Sequence, residues 1–309
     1  EYSEKLGKIL KLPNFIIGVL IVAVGTSLPE FATSLMGVSR GEVEFLSGNV
    51  LGTVIVNILL GLSITVLATR RKAKFDWDIV SNDLPFFAAA IFLVIVSLID
   101  GKFTMGEAIL FLVGYIVYIF YAYFVQKEER QKTQDKFGKQ ISEEIKTGLA
   151  DKEKKLKAIS PKSNPLVKII IFLVGSLAFV ALASHFVVEA VINLAGLFGL
   201  GTTVLAATVV ALGTSLPEIM VAVSAARRGN FDMVIGDILG SNIFDIFVIY
   251  GVAGLFAEIT ITEHLFTIMV TFLLGSFVLL WLALIDKRIT KTEAVLFLVI
   301  YVMFLGKLF

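Results

Sequence analysis

Nine stretches of the chain are poor in charge and rich in Ile, Val, Leu, Phe and Ala: residues 15–38, 46–68, 79–98, 106–125, 166–183 with an apolar extension, 203–226, 233–257, 265–285 and 292–308. The ~30 Å hydrocarbon core of a bilayer takes roughly 20 apolar residues of helix, so each stretch predicts one crossing. The runs are continuous, whereas the strands of an outer-membrane barrel are shorter and alternate apolar with polar residues. The pattern therefore predicts an all-α polytopic membrane protein with nine helices in this chain.

The polar connections supply an orientation. If all nine stretches cross, four connections share one side: residues 69–78 with Arg70, Arg71, Lys72 and Lys74, the long segment 126–165, residues 227–232, and residues 286–291 with Lys287, Arg288 and Lys291. Of Lys and Arg, the opposite connections hold only Arg40 and Lys102. The positive-inside rule predicts a multi-pass protein of the cell membrane with the basic side and the central loop in the cytoplasm and the C-terminus extracytoplasmic. Residues 126–165, dense in Lys and Glu, are expected to be a cytoplasmic linker with partial helix. They divide residues 1–125, a first repeat half, from residues 166–309, a second one.

Composition agrees: 57% of residues are hydrophobic and 17% charged. The net charge of +1 resides in connections and points to no nucleic acid. With no cysteine and two histidines, thiol chemistry, a Ser-His triad and a zinc cluster have no basis. His185 and Glu189, near the end of their stretch, read as a local pair.

The hexapeptide Gly-Thr-Ser-Leu-Pro-Glu occurs at residues 25–30 and again at 213–218. A shift of 188 positions aligns residues 25–57 with 213–245 without a gap, matching Arg40, Gly41, Gly48, Leu51, Gly52 and Ile55 to Arg228, Gly229, Gly236, Leu239, Gly240 and Ile243. The copies, spanning 15–68 and 203–257, begin five crossings apart and so enter the membrane from opposite sides. Inverted-topology repeats with broken helices are the architecture of many secondary transporters. The same register aligns Glu1 with Glu189, leaving the stretch from residue 166 without a first-half partner. A further helix before Glu1, ten in the full protein, is expected on that ground.

Each motif holds the parts of a cation site. Pro29 and Pro217 lack an N–H, which leaves the carbonyls of Gly25 and Gly213 without their helical donor. Ala23 and Ala211 are further candidate carbonyls, Thr26, Ser27, Thr214 and Ser215 add hydroxyls, and Glu30 and Glu218 add charge. In the following helix Asn49, Thr53 and Asn57 recur every four residues, as do Asp237, Ser241 and Asp245, so each trio lines one face. An all-oxygen set suits Ca²⁺ or Na⁺. A carboxylate at membrane depth costs roughly 2.5–3.5 kcal/mol on insertion scales and marks a functional site by default. Two such acids repel unless a cation lies between them.

The paired motifs and their following helices resemble the alpha-repeats of the cation/calcium antiporter superfamily, specifically prokaryotic sodium/calcium exchangers. The resemblance implies exchange of several Na⁺ for one Ca²⁺ by alternating access, with no cofactor, no enzymatic activity and no partner beyond the bilayer and the two ions. It implies Glu30 and Glu218 as main Ca²⁺ ligands with Thr26 and Thr214 beside them. Asp245 would be a further acid and Asn57 a neutral ligand, with Ser27, Ser215, Ser241, Thr53, Ala23 and Ala211 completing the Na⁺ and Ca²⁺ sites. Two positions depart from the family pattern: Thr53 stands where Ser is usual, and Asp237, a candidate pathway acid, where Asn is more usual. A proton/calcium antiporter is the alternative within the superfamily, and a passive cation channel an alternative outside it.

Overall fold

The computed structural model describes residues 23–69, 73–74, 84–122, 124, 182–183 and 185–309. The expected linker 126–165 and the predicted starts at residues 15, 79 and 166 lie outside these residues. The described chain is helical: α1 (Ala23–Thr26 and Leu28–Ser39, interrupted at Ser27), α2 (Val43–Leu67), α3 (Leu84–Ser97), α4 (Met105–Ala122), α5 (His185–Phe198), α6 (Thr202–Arg228), α7 (Phe231–Gly254), α8 (Glu263–Ile285) and α9 (Lys291–Leu308). Five of them, α2, α4, α6, α7 and α8, are each long and apolar enough to cross a bilayer. The protein is a polytopic α-helical membrane protein. His264, expected in a connection, belongs to the first turn of α8.

Two short ribbons mark the two ends of the bundle. Strand β1 (Ala73–Lys74) pairs antiparallel with β4 (Arg288–Ile289), and β2 (Lys102–Phe103) pairs with β3 (Ile259–Thr260). Helix α2 starts at the β2–β3 end, packing against β3, and finishes near β1. Also at the β2–β3 end, Thr202 Oγ1 donates to Glu42 Oε2 at 2.9 Å, joining the start of α6 to the start of α2. The second part of α1 therefore runs to the β2–β3 end, and that of α6 to the β1–β4 end. The repeats are antiparallel, as the odd number of crossings between them requires.

Both copies turn in the same way. Gly41 and Gly229, related by the repeat, have φ of 83° and 84°. Glu42 N donates to Gly37 O and Asn230 N to Ala225 O, both at 3.0 Å, closing equivalent helix ends. A left-handed residue at that place accounts for the Arg-Gly pair in each repeat.

The central helices are those that carry the polar rows. In the most apolar part of each span, 83% of α2 and 94% of α7 is buried, against 22% of α4. Helix α2 crosses α6 of the other repeat at very close range. A Cβ on Gly48 would collide with the Thr203 carbonyl oxygen, and one on Gly52 would sit 2.7 Å from Ala207 Cα. Lipid offers no hydrophobic drive between helices, so association relies on backbones that can approach this closely. By contrast, the kink glycines Gly25 and Gly213 have nothing within 4 Å of a Cβ position. At the β2–β3 end, Arg40 Nη2 lies 2.8 Å from His185 Nδ1, and His185 Nε2 lies 3.7 Å from Glu189 Oε2.

Overpacking costs about 1–3 kcal/mol, so Gly52→Val is expected to lower the melting temperature of the detergent-solubilised protein by several degrees. Gly275, with open space around its Cβ position, serves as the control through Gly275→Ala. Equal melting temperatures for the two variants would contradict the close crossing of α2 and α6.

Candidate cation site

In both repeats the proline falls at the start of a helical segment with the acid two residues from its first residue. Ser27 separates Ala23–Thr26 from Leu28–Ser39, and Ser215 separates Ala211–Thr214 from Leu216–Arg228. Pro is tolerated in a first turn, where its missing N–H would have no helical partner anyway. Glu30 and Glu218 thus occupy first turns, where the helix dipole favours negative charge. The break is a kink and not an unwound loop. Ser27 N still donates to Ala23 O at 3.0 Å, and Ser215 N to Ala211 O at 3.1 Å.

The following helices are distorted at matching places. Residues Asn57–Gly61 of α2 and Asp245–Ile249 of α7 form π-helical turns, and these two segments coincide under the 188-residue shift. A π-turn is a rare interruption that re-aims side chains and recurs at functional sites. Here it begins at Asn57 in one repeat and at Asp245 in the other.

These elements bring four acids into the protein interior. Glu30 and Asp245 are 0% exposed, Glu218 5% and Asp237 2%. Glu30, Glu218 and Asp245 repel one another, and Asp237 is repelled by Glu218. Hydrogen bonding compensates only one oxygen of the central three: Ser27 Oγ donates to Glu218 Oε1 at 2.8 Å, with Thr26 Oγ1 at 3.4 Å from the same atom. Those donors come from the opposite repeat. Both oxygens of Glu30, both of Asp245 and Oε2 of Glu218 have no hydrogen-bond partner. Leaving such atoms bare in a low-dielectric interior is costly, so each calls for a proton or a cation.

Around the acids stand the predicted neutral groups. Asn57 and Ser241 face Glu218, and Thr214 faces Glu30. Thr214 Oγ1 also donates to Val210 O at 3.1 Å, and Ser241 Oγ to Ile238 O at 3.3 Å. The hydroxyls of Thr53 and Ser215 are buried without partners. The repeat symmetry is broken here, because Ser27 bonds the acid across the interface and Ser215 does not. Ala23 O accepts from Thr26 Oγ1 at 3.1 Å and Ala211 O from Thr214 Oγ1 at 3.4 Å, so these carbonyls are already engaged within their own helices. Among the described residues no three Asp, Glu, His or Cys side chains group closely enough to hold a metal ion by themselves. A cation here would need the hydroxyl and amide oxygens as well.

Asn242 was not among the predicted site residues. Its Oδ1 accepts from Asn57 Nδ2 at 3.1 Å, and its Nδ2 is buried without a partner. Asn242 pairs with Val54 in the repeat register and lies off the every-fourth-residue row, so neither signal marked it. A buried Asn inside an apolar helix was the one clue available.

The sodium/calcium exchanger protein family model matches residues 1–124 and 168–309. Sodium/calcium exchanger MaX1 of Methanosarcina acetivorans is 32% identical over 99% of this chain and 92% of its own length. The inner membrane protein YrbG of Escherichia coli is 29% identical over 79% of this chain and 70% of its own. Among solved structures, the sodium-calcium exchanger NCX_Mj soaked with 2.5 mM Na⁺ and 10 mM Sr²⁺ superposes with a TM-score of 0.66 at 26% identity, covering 98% of this chain and 90% of that one. With its doubled acidic kink, antiparallel repeats and these matches, the chain belongs to the sodium/calcium exchanger protein family.

Proposed function

We propose that the protein is a secondary antiporter that exchanges Na⁺ for Ca²⁺ by alternating access. Glu30, Glu218 and Asp245 would supply the charge, and Thr26, Ser27, Thr214, Ser215, Thr53, Asn57 and Ser241 the neutral oxygens. The observation that carries this reading is the bond from Ser27 to Glu218, which joins a hydroxyl of one repeat to the acid of the other. The site therefore belongs to the interface between the repeats. A rocking of one repeat against the other would move its walls relative to each other and change the face to which it opens.

Charge explains why the two cations would compete. Three buried carboxylates attract a divalent ion or several monovalent ions, and one kind can leave only when another replaces it or the acids take up protons. The hydroxyls clustered beside the acids favour Na⁺ as the replacing ion, since they add coordinating oxygens without adding charge. The family resemblance to exchangers points the same way. Under the positive-inside rule the β1–β4 end, with Lys74, Arg227, Arg228 and Lys287, would face the cytoplasm. Residues 1–125 and 166–309 would then act as the two halves, joined through a cytoplasmic linker at 126–165.

Two outcomes are expected in reconstituted vesicles. Glu30→Gln and Glu218→Gln keep shape but remove charge, and each should reduce sodium-driven ⁴⁵Ca²⁺ uptake at least roughly 100-fold, the loss of about 2.7 kcal/mol of binding or more. Flux near the wild-type level in either variant would remove these acids from the site. An outward-directed Na⁺ gradient at clamped pH should drive uptake, and a proton gradient at equal Na⁺ should not. The reverse result would make the protein a proton/calcium antiporter.

A further inference from the structure

Glu218 and Glu30 occupy equivalent repeat positions, and a small cleft borders Glu218. Gly61, Ala222 and Asp237 line it together with Asn57, Ser241 and Ile219. Gly61 lies one turn beyond Asn57 toward the end of α2, and Ala222 one turn beyond Glu218 toward the end of α6. Both directions lead to the β1–β4 end, so the cleft extends from the acid toward that face.

On the Glu30 side the equivalent positions carry different side chains. Ile249 replaces Gly61 and Ser34 replaces Ala222, and both are 0% exposed. Phe31 replaces Ile219, its ring 6.4 Å from that of Phe244, which in turn meets Tyr115 edge-on at 5.8 Å. Behind them Asn49 ties α2 to α1: its Nδ2 donates to Ser34 Oγ at 2.8 Å, Thr33 Oγ1 at 3.1 Å and Glu30 O at 3.3 Å.

The second repeat has lost this lock in all three places. Thr33 becomes Val221, Ser34 becomes Ala222 and Asn49 becomes Asp237. The amide donor has been exchanged for a carboxylate and its acceptor hydroxyls for methyl groups. Asp237 is 2% exposed, its Oδ1 has no hydrogen-bond partner, Glu218 repels it, and the Thr26 hydroxyl is its hydrogen-bonding neighbour from the other repeat. A buried carboxylate that lines a cleft beside a second one attracts a cation to the space between them.

We propose that this cleft is an accessory site for a hard cation, with Asp237 as its acid, which loads and unloads the central site from the β1–β4 face. It rests on cation exchange at the central site and adds an inequivalence of the two repeats: the position beside Glu218 is a carboxylate, and the equivalent position beside Glu30 is an amide tied to its neighbours.

The test measures the calcium KM from each face, in right-side-out and everted vesicles. Asp237→Asn, which installs the residue of the first repeat, should raise KM roughly tenfold in one vesicle type and change it less than about twofold in the other. Gly61→Val, which narrows the cleft without touching a carboxylate, should give the same one-sided change. A KM unchanged in both vesicle types, or raised equally in both, would overturn the proposal. The comparison works with whichever gradient drives calcium flux, so failure of sodium coupling is read separately. In purified protein, equilibrium Mn²⁺ binding followed by electron paramagnetic resonance reads the site without transport. Asp237→Asn should bind fewer ions at saturation than wild type, and equal stoichiometry would exclude a cation held by Asp237.

Discussion

The mutual repulsion of Glu30, Glu218 and Asp245 governs this structure. Each carboxylate would cost roughly 2.5–3.5 kcal/mol at membrane depth on insertion scales, and like charges sharing a low-dielectric site add to that cost. Five of their six oxygens lack a hydrogen bond. The fold places Glu30 and Glu218 in first helical turns, which softens the cost without removing it. What remains is an appetite for positive charge, and a transporter needs that appetite to be satisfied by exchangeable ions.

Close packing holds the repelling groups in place. Helices α2 and α7 occupy the protein interior, and the contact of Gly48 and Gly52 with Thr203 and Ala207 brings the backbone of α2 against α6. Without that approach the hydroxyl of Ser27 and the carboxylate of Glu218, on α1 and α6, would not share a site with residues of α2 and α7. Small residues and acids are thus two halves of one requirement: the first permits proximity and the second makes proximity useful. The repeat supplies both twice, and the departures from symmetry at Asn57 and Asp245, and at Asn49 and Asp237, determine where the charge lies.

Much of this was legible along the chain. Apolar runs of crossing length located the described helices, because backbone groups in lipid must be satisfied within a helix and the span as a whole must be apolar enough to offset the cost of its few polar residues. The 188-residue register and an odd number of crossings gave antiparallel repeats by counting alone. Proline chemistry located both kinks, although the expected unwinding is smaller than a missing N–H suggested, because Ser27 and Ser215 still bond to the preceding turn. The π-turns were not legible, because no residue type demands them. Asn242 was missed for a related reason, since its role depends on a contact with Asn57 across the repeat interface.

By itself the sequence determined membrane class, repeat antisymmetry and which acids and oxygen groups make up the candidate site, because hydrophobicity, proline geometry and carboxylate charge are properties that residues carry anywhere. Tertiary structure alone decided which groups are satisfied and which are left bare. It gave Ser27 to Glu218 and left the Ser215 hydroxyl unpartnered, tied Asn49 to Ser34 beside Glu30, and set Asp237 in a small cleft beside Glu218. Hydrogen bonds act over about 3 Å and clefts form where side chains fail to meet, so both depend on distances between segments that no linear pattern contains.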